Sequence, residues 1–140
     1  MIEAKSLCKS YGPIKAVDNL SFTVEAGQVL GFLGPNGAGK STTMKMLTGF
    51  LAPTSGTALI DGVDVVENSV AARRNIGYLP EGAPSYGEMT VEQFLYFIAR
   101  ARLIEKSALE ASVEQAIEKL NLTAVRHQAV SYTHLRAHET

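Results

Sequence analysis

The residues best equipped for chemistry stand together at Gly34-Pro35-Asn36-Gly37-Ala38-Gly39-Lys40-Ser41-Thr42. They complete the spacing G-x-x-x-x-G-K-[ST], from Gly34 through Gly39 to Lys40 and Ser41. Each residue type answers a need of phosphate binding. Gly34, Gly37 and Gly39 let the backbone turn tightly without side chains that would hold a phosphate away. The backbone N–H groups then face inward and cradle anionic oxygens, helped by the positive end of the helix that follows. Lys40 adds a mobile full charge for the β- and γ-phosphates, Ser41 a hydroxyl to ligate Mg²⁺, and Thr42 a donor for the α-phosphate. A chance glycine-rich turn reproduces this pattern in roughly one chain of this length in two hundred. Nucleotide binding is the stronger reading.

Lys40 and Ser41 work only if neighbouring elements hold them. The apolar run Gln28-Val29-Leu30-Gly31-Phe32-Leu33 predicts a buried strand leading into the loop, and Thr42 to Leu47 predicts a helix that stops at Gly49. Upstream, Ile2 to Tyr11 alternates as a strand, Gly12-Pro13 makes a turn, and Leu20 to Val24 reads as a second strand. Downstream, Pro53 to Gly56 breaks the chain before a short strand, Thr57 to Ile60, closed by Asp61-Gly62. Ser69 to Asn75 predicts a short helix, Ile76 to Pro80 another strand, and Glu81 to Gly87 a loop. Two capped helices complete the pattern. Thr90 with Gln93 forms one capping box, opening an apolar stripe through Phe94, Phe97, Ile98 and Ala101. Ser107 with Glu110 forms another, with Val113, Ala116, Ile117 and Leu120 inward. The two stripes are expected to pack on each other as core.

Bulk properties narrow the classes. The 140 residues suit one domain, and a net charge of −1 leaves no electrostatic footprint for nucleic acid or anionic lipid. No apolar run approaches the roughly 18 residues of a membrane-spanning helix, and the opening MIEAKSLCKS lacks the pattern of a signal peptide. The single Cys8 excludes a disulfide framework and fits a reducing cytosol, where it is expected to be a packed thiol.

On these residues the chain resembles the ATP-binding subunit of an ABC transporter, from Met1 to about Gln128. The wording Gly34 to Thr42 with Leu33 before it carries the resemblance. So do the flanking stretches Lys9 to Phe22, Gly27 to Gly34 and Gly56 to Val65. ABC-2 type bacterial exporters are the most similar branch. The resemblance implies an α/β P-loop NTPase fold, RecA-like, with an antiparallel β subdomain and the start of a helical subdomain, truncated. Residues 1–88 would be the nucleotide-binding core and β subdomain, and 89–128 the start of the helical subdomain. It further implies that Tyr11 stacks on adenine, with Val17 lining the same face. Glu81 falls where the family usually carries a glutamine that reaches Mg²⁺ and the attacking water. A carboxylate binds the cation more strongly but adds charge beside the γ-phosphate. Met89 to Ile98 would belong to the part that touches the membrane subunit.

The family's remaining equipment is a signature segment, a Walker B strand ending in Asp-Glu, and a switch His. None occurs before Thr140. Residues 130–140, from Val130 on, read instead as a translated transposase-derived sequencing adapter, a frame also compatible with Ala129. Residues 129–140 are therefore expected to be a non-native tail. His134 and His138 stand four apart, as metal ligands on one helix face would, but the adapter reading accounts for both. A chain cut here is expected to expose apolar edges and to be unstable.

The function implied is ATP binding, with Mg²⁺, and ATP hydrolysis that drives transport through a separate membrane subunit. Two ATPase subunits, identical or not, would close over the nucleotides at the inner face of the cell membrane. A non-transport ABC ATPase is one rival. For these 140 residues alone, a nucleotide-binding fragment without catalysis is the better description.

Overall fold

The computed structural model describes residues 1–82 and 86–131. They fall into two units, Met1–Leu79 and a second that begins at Pro80.

In the first unit, strands β1 (Ile2–Tyr11) and β2 (Ile14–Val24) form a hairpin closed at Gly12-Pro13. Strand β3 (Ser55–Ile60) pairs antiparallel with the other edge of β1, and β4 (Val63–Asp64) pairs with β3. The sheet order is β2-β1-β3-β4. Ala4 and Leu7 both face the core although they are three residues apart, which strict alternation forbids. A bulge resolves this. β1 carries one residue more than β2 between Ala4 and Leu7 and one more than β3 between Lys5 and Cys8, and Ser6 takes a left-handed φ of 51° there. Gly56 lies against the bulge so closely that a Cβ would stand 2.2 Å from the Ser6 carbonyl oxygen.

Helix α1 (Lys40–Leu47) sets Met46 and Leu47 among Leu7, Ala58 and Val65, the centre of the first core. It ends as the sequence predicts. Gly49 takes φ 74°, and the Phe50 N–H returns to the Lys45 carbonyl. Helix α2 (Ser69–Arg74) buries Ala72 in the same cluster.

Two expected strands do not form. Gln28–Leu33 and Ile76–Leu79 have no regular secondary structure, and Val29 and Leu33 are 99% and 96% exposed. A strand buried on both faces needs a hydrogen-bonded neighbour, and no strand of this sheet pairs with either run. Each makes an aromatic contact with the rest of the unit. Phe32 meets Phe22 edge-on at 5.3 Å, and Tyr78 lies 5.4 Å from Phe50.

In the second unit, helices α3 (Val91–Ala101) and α4 (Lys106–Lys119) pack on each other. The capping box of α3 is present in both directions, Thr90 Oγ1 accepting from Gln93 N–H and Gln93 Oε1 from Thr90 N–H. The chain after a 3-10 turn (Thr123–Val125) returns along the start of α3. There Gln128 and Arg126 carbonyls accept from Val91 and Glu92 N–H, two first-turn donors that no helix can satisfy by itself. The Arg126 guanidinium joins Glu92 at 2.5 Å and Glu114 at 2.6 Å, so one cation ties the return segment to both helices. Its hydrogen bond holds the Glu114 carboxyl below the ordinary range.

Two helical expectations need correction. α4 begins at Lys106 without a side-chain cap, so Ser107 lies inside the helix and its capping box with Glu110 is not made. The face of α3 that meets α4 is Leu95 and Ala99, against Val113 and Ile117, not Phe94, Phe97, Ile98 and Ala101. The small Ala99 lets the helices approach, whereas Phe97 turns outward onto Tyr86 at 5.2 Å. On α4, Val113 and Ile117 are buried as expected but Leu120 is exposed. No described helix is long and apolar enough to cross a membrane.

Candidate functional site

The loop between Leu33 and α1 is shaped by its own backbone. The Ala38 N–H donates to the Pro35 carbonyl at 3.2 Å, closing a tight turn. Gly39 then stands at the N-cap of α1 with φ 89° and ψ 8°. A side chain there would be strained, and it would also collide, since a Cβ would lie 2.4 Å from the Ala16 carbonyl oxygen of β2. Gly39 is thus required twice, by its dihedral and by the strand that passes against it.

No side chain caps α1, and its first turn carries no acidic residue. The first N–H groups of a helix have no partner within it, so this terminus keeps its donors and its positive end for an anion. Thr43, almost fully buried, fastens the turn from behind. Its N–H and its Oγ1–H both donate to the Gly39 carbonyl, at 2.9 and 2.8 Å.

In front of the helix end lies a cavity of about 400 Å³, lined by Ala16 and by Pro35 through Thr42. The Lys40 ammonium is curled over the loop, donating to the carbonyls of Gly34 and, at 3.0 Å, of Pro35. These are exposed, neutral partners, and phosphate oxygens would replace them with charge-assisted bonds. Ser41 is exposed and Thr42 half-buried at the cavity wall, while Asn36 and Gly37 stand in solvent. Gly37 also takes a left-handed φ of 88°. The donor set suits a magnesium polyphosphate: a hydroxyl at Ser41, an ammonium at Lys40, and a glycine turn with no side chain in the way.

Of the other predicted site residues, Tyr11 ends β1 opposite Ile14 and is 49% exposed. Val17 is buried, its Cγ2 beside the position a Gly39 Cβ would take, so it backs the loop and Ala16 forms the cavity wall. Glu81 is exposed in the turn that opens the second unit. Part of its predicted loop, Ala83 to Ser85, lies outside the described residues, as do His134, His138 and the tail from Tyr132. Cys8 is partly buried and its Sγ accepts from the Asn19 N–H at 3.2 Å. Among the described residues no group of His, Cys, Asp and Glu is placed to hold a metal by itself.

Sequence reasoning passed over Ala16 and Lys9. Ala16 has no signal in its residue type, since it contributes only its carbonyl. Lys9 had one: two residues before Tyr11 on a strand, it shares that residue's face. Its ammonium stands 5.3 Å from the Tyr11 ring centre and donates to the Ala52 carbonyl at 2.9 Å.

The chain is similar to known proteins over most of its length. Over 129 residues the chain is 42% identical to the probable multidrug ABC transporter ATP-binding protein YbhF of Escherichia coli K12, covering 92% of this chain and 22% of that protein. Over 130 residues it is 39% identical to the uncharacterized ABC transporter ATP-binding protein YxlF of Bacillus subtilis 168, covering 93% and 42%. The chain thus spans less than half the length of either relative. A solved ATP-binding subunit of an ABC transporter superimposes with a TM-score of 0.81 at 28% identity, over 92% of this chain and 54% of that one. Residues 17–136 match the ABC transporter family. The described structure is accordingly a truncated α/β P-loop NTPase domain with an antiparallel sheet, and the chain belongs to the ABC transporter family.

Proposed function

We propose that this chain is the nucleotide-holding part of an ABC-type ATPase that drives export through a separate membrane subunit. The observation that carries the reading is the uncapped, acid-free start of α1 behind Gly39, with Lys40 and Ser41 at the rim of the cavity. Lys40 and the loop N–H groups bind the phosphates and stabilise charge on the transferring phosphoryl group. Ser41 and Glu81 are the residues that would hold Mg²⁺, which supplies charge neutralisation across the β- and γ-phosphates. Tyr11 stacks on the adenine, and Val17 supports the loop from behind. Residues 1–88 would be the nucleotide-binding core and β subdomain, and 89–128 the start of the helical subdomain. The relatives are named as ABC transporter ATP-binding proteins, which supports the transport setting. In that setting the chain would work at the cytoplasmic face of a membrane through its partner and pair with a second ATPase subunit.

The 140 residues contain no signature segment and no Asp-Glu pair after an apolar run. Binding without turnover is therefore the activity assigned to them. A phosphate-release assay on the purified chain is expected to stay at background with Mg·ATP. Turnover that disappears in Lys40→Ala would overturn this part of the reading.

A further inference from the structure

We infer that Lys9 is a positioning residue for purine recognition, acting through Tyr11; the inference rests on the reading of Tyr11 as the base platform. Lys9 and Tyr11 lie on the same face of β1, and the ammonium stands 5.3 Å from the ring centre, within the range of a cation–π contact. The same ammonium donates to the Ala52 carbonyl at 2.9 Å. Two further bonds join the end of β1 to this segment. The Ser10 N–H donates to Thr54 Oγ1 at 3.0 Å, and the Thr54 N–H to the Cys8 carbonyl at 2.8 Å.

Residues 52–54 follow the turn 48–51 that closes α1, and α1 begins at the phosphate loop. The stitching therefore fixes the end of β1 to the same helix whose other end holds the phosphates. Lys9 completes it on the ring itself. A cation over one face of Tyr11 restrains the side chain's rotation and draws π density from the face left open, which favours stacking of an electron-rich purine there. Tyr11 is about half exposed, which leaves surface for a base to meet. Lys9 contacts Tyr11 and the Ala52 carbonyl and does not line the cavity at the phosphate loop, so its effect is expected on the base and not on the triphosphate.

Isothermal titration of the chain with Mg·ATP and with magnesium tripolyphosphate, which has no base, separates the two. Lys9→Met is expected to weaken ATP about two- to five-fold and to leave tripolyphosphate unchanged, and Lys9→Arg to restore ATP binding. Equal loss of both ligands in Lys9→Met, or loss of neither, overturns the inference. Tyr11→Ala isolates the underlying reading: if it too spares ATP selectivity, the platform itself is wrong. A second readout needs no nucleotide. In NMR spectra of the unliganded chain, the Lys9 ε-methylene protons should be shifted upfield by the Tyr11 ring and return to ordinary values in Tyr11→Ala. Unshifted protons in the starting chain would also refute the contact.

Discussion

The two flanks of the phosphate loop are built to different degrees. On the downstream side, α1 is closed at its C-terminus by Gly49, buried through Met46 and Leu47, and braced by β2 at Gly39. On the upstream side, the apolar run Gln28–Leu33 pairs with no strand and leaves Val29 and Leu33 in solvent. The difference is one of partner distance in the chain. A helix makes its hydrogen bonds within itself, and β1 finds β2 and β3 within the first 60 residues. A central strand of a parallel sheet borrows its neighbours from crossovers further along the chain. Among the described residues no strand pairs with Gln28–Leu33, and the upstream flank stays exposed.

This contrast gives a graded set of substitutions, each read by urea unfolding. Leu7 is fully buried between the sheet and α1, so Leu7→Ala should destabilise the first unit by about 2–5 kcal/mol. A cost below about 1 kcal/mol would mean that this core is not formed in solution. Gly39→Ala should cost about 1–3 kcal/mol for its left-handed backbone, and the approach of Ala16 should add to it. It should also weaken nucleotide binding, and a neutral result would show that β2 does not brace the loop. Leu33→Ser should stay within about 0.5 kcal/mol here, because the side chain is already in water. A large cost would show that the upstream run is packed after all.

What could be read from the sequence follows the same division. The Thr90–Gln93 box and the glycine stop at Gly49 were legible because each depends on residues within a few positions, and the strand from Ile2 to Tyr11 because its alternation is local and its hairpin partner β2 follows at once. The phosphate loop was legible for the same reason, its turn, donors and cation lying within nine consecutive residues. Gln28–Leu33 was read as a strand from its composition, but composition reports the tendency to be buried and not the presence of a neighbour. The buried face of α3 was misread because Leu95 and Phe94 are both apolar. Only the position of α4, with Ala99 allowing close approach, chooses between them. The Ser6 bulge left no sequence signal either; it answers the need to bring both Ala4 and Leu7 to one side.

The central claim is that the built flank is sufficient to hold a nucleotide through Lys40, even with the other flank open. Titration calorimetry of the chain with Mg·ATP, beside Lys40→Ala, tests it most directly. The account predicts weak but saturable binding that Lys40→Ala abolishes. Binding of equal strength in the two proteins, or none in the unsubstituted chain, would contradict it.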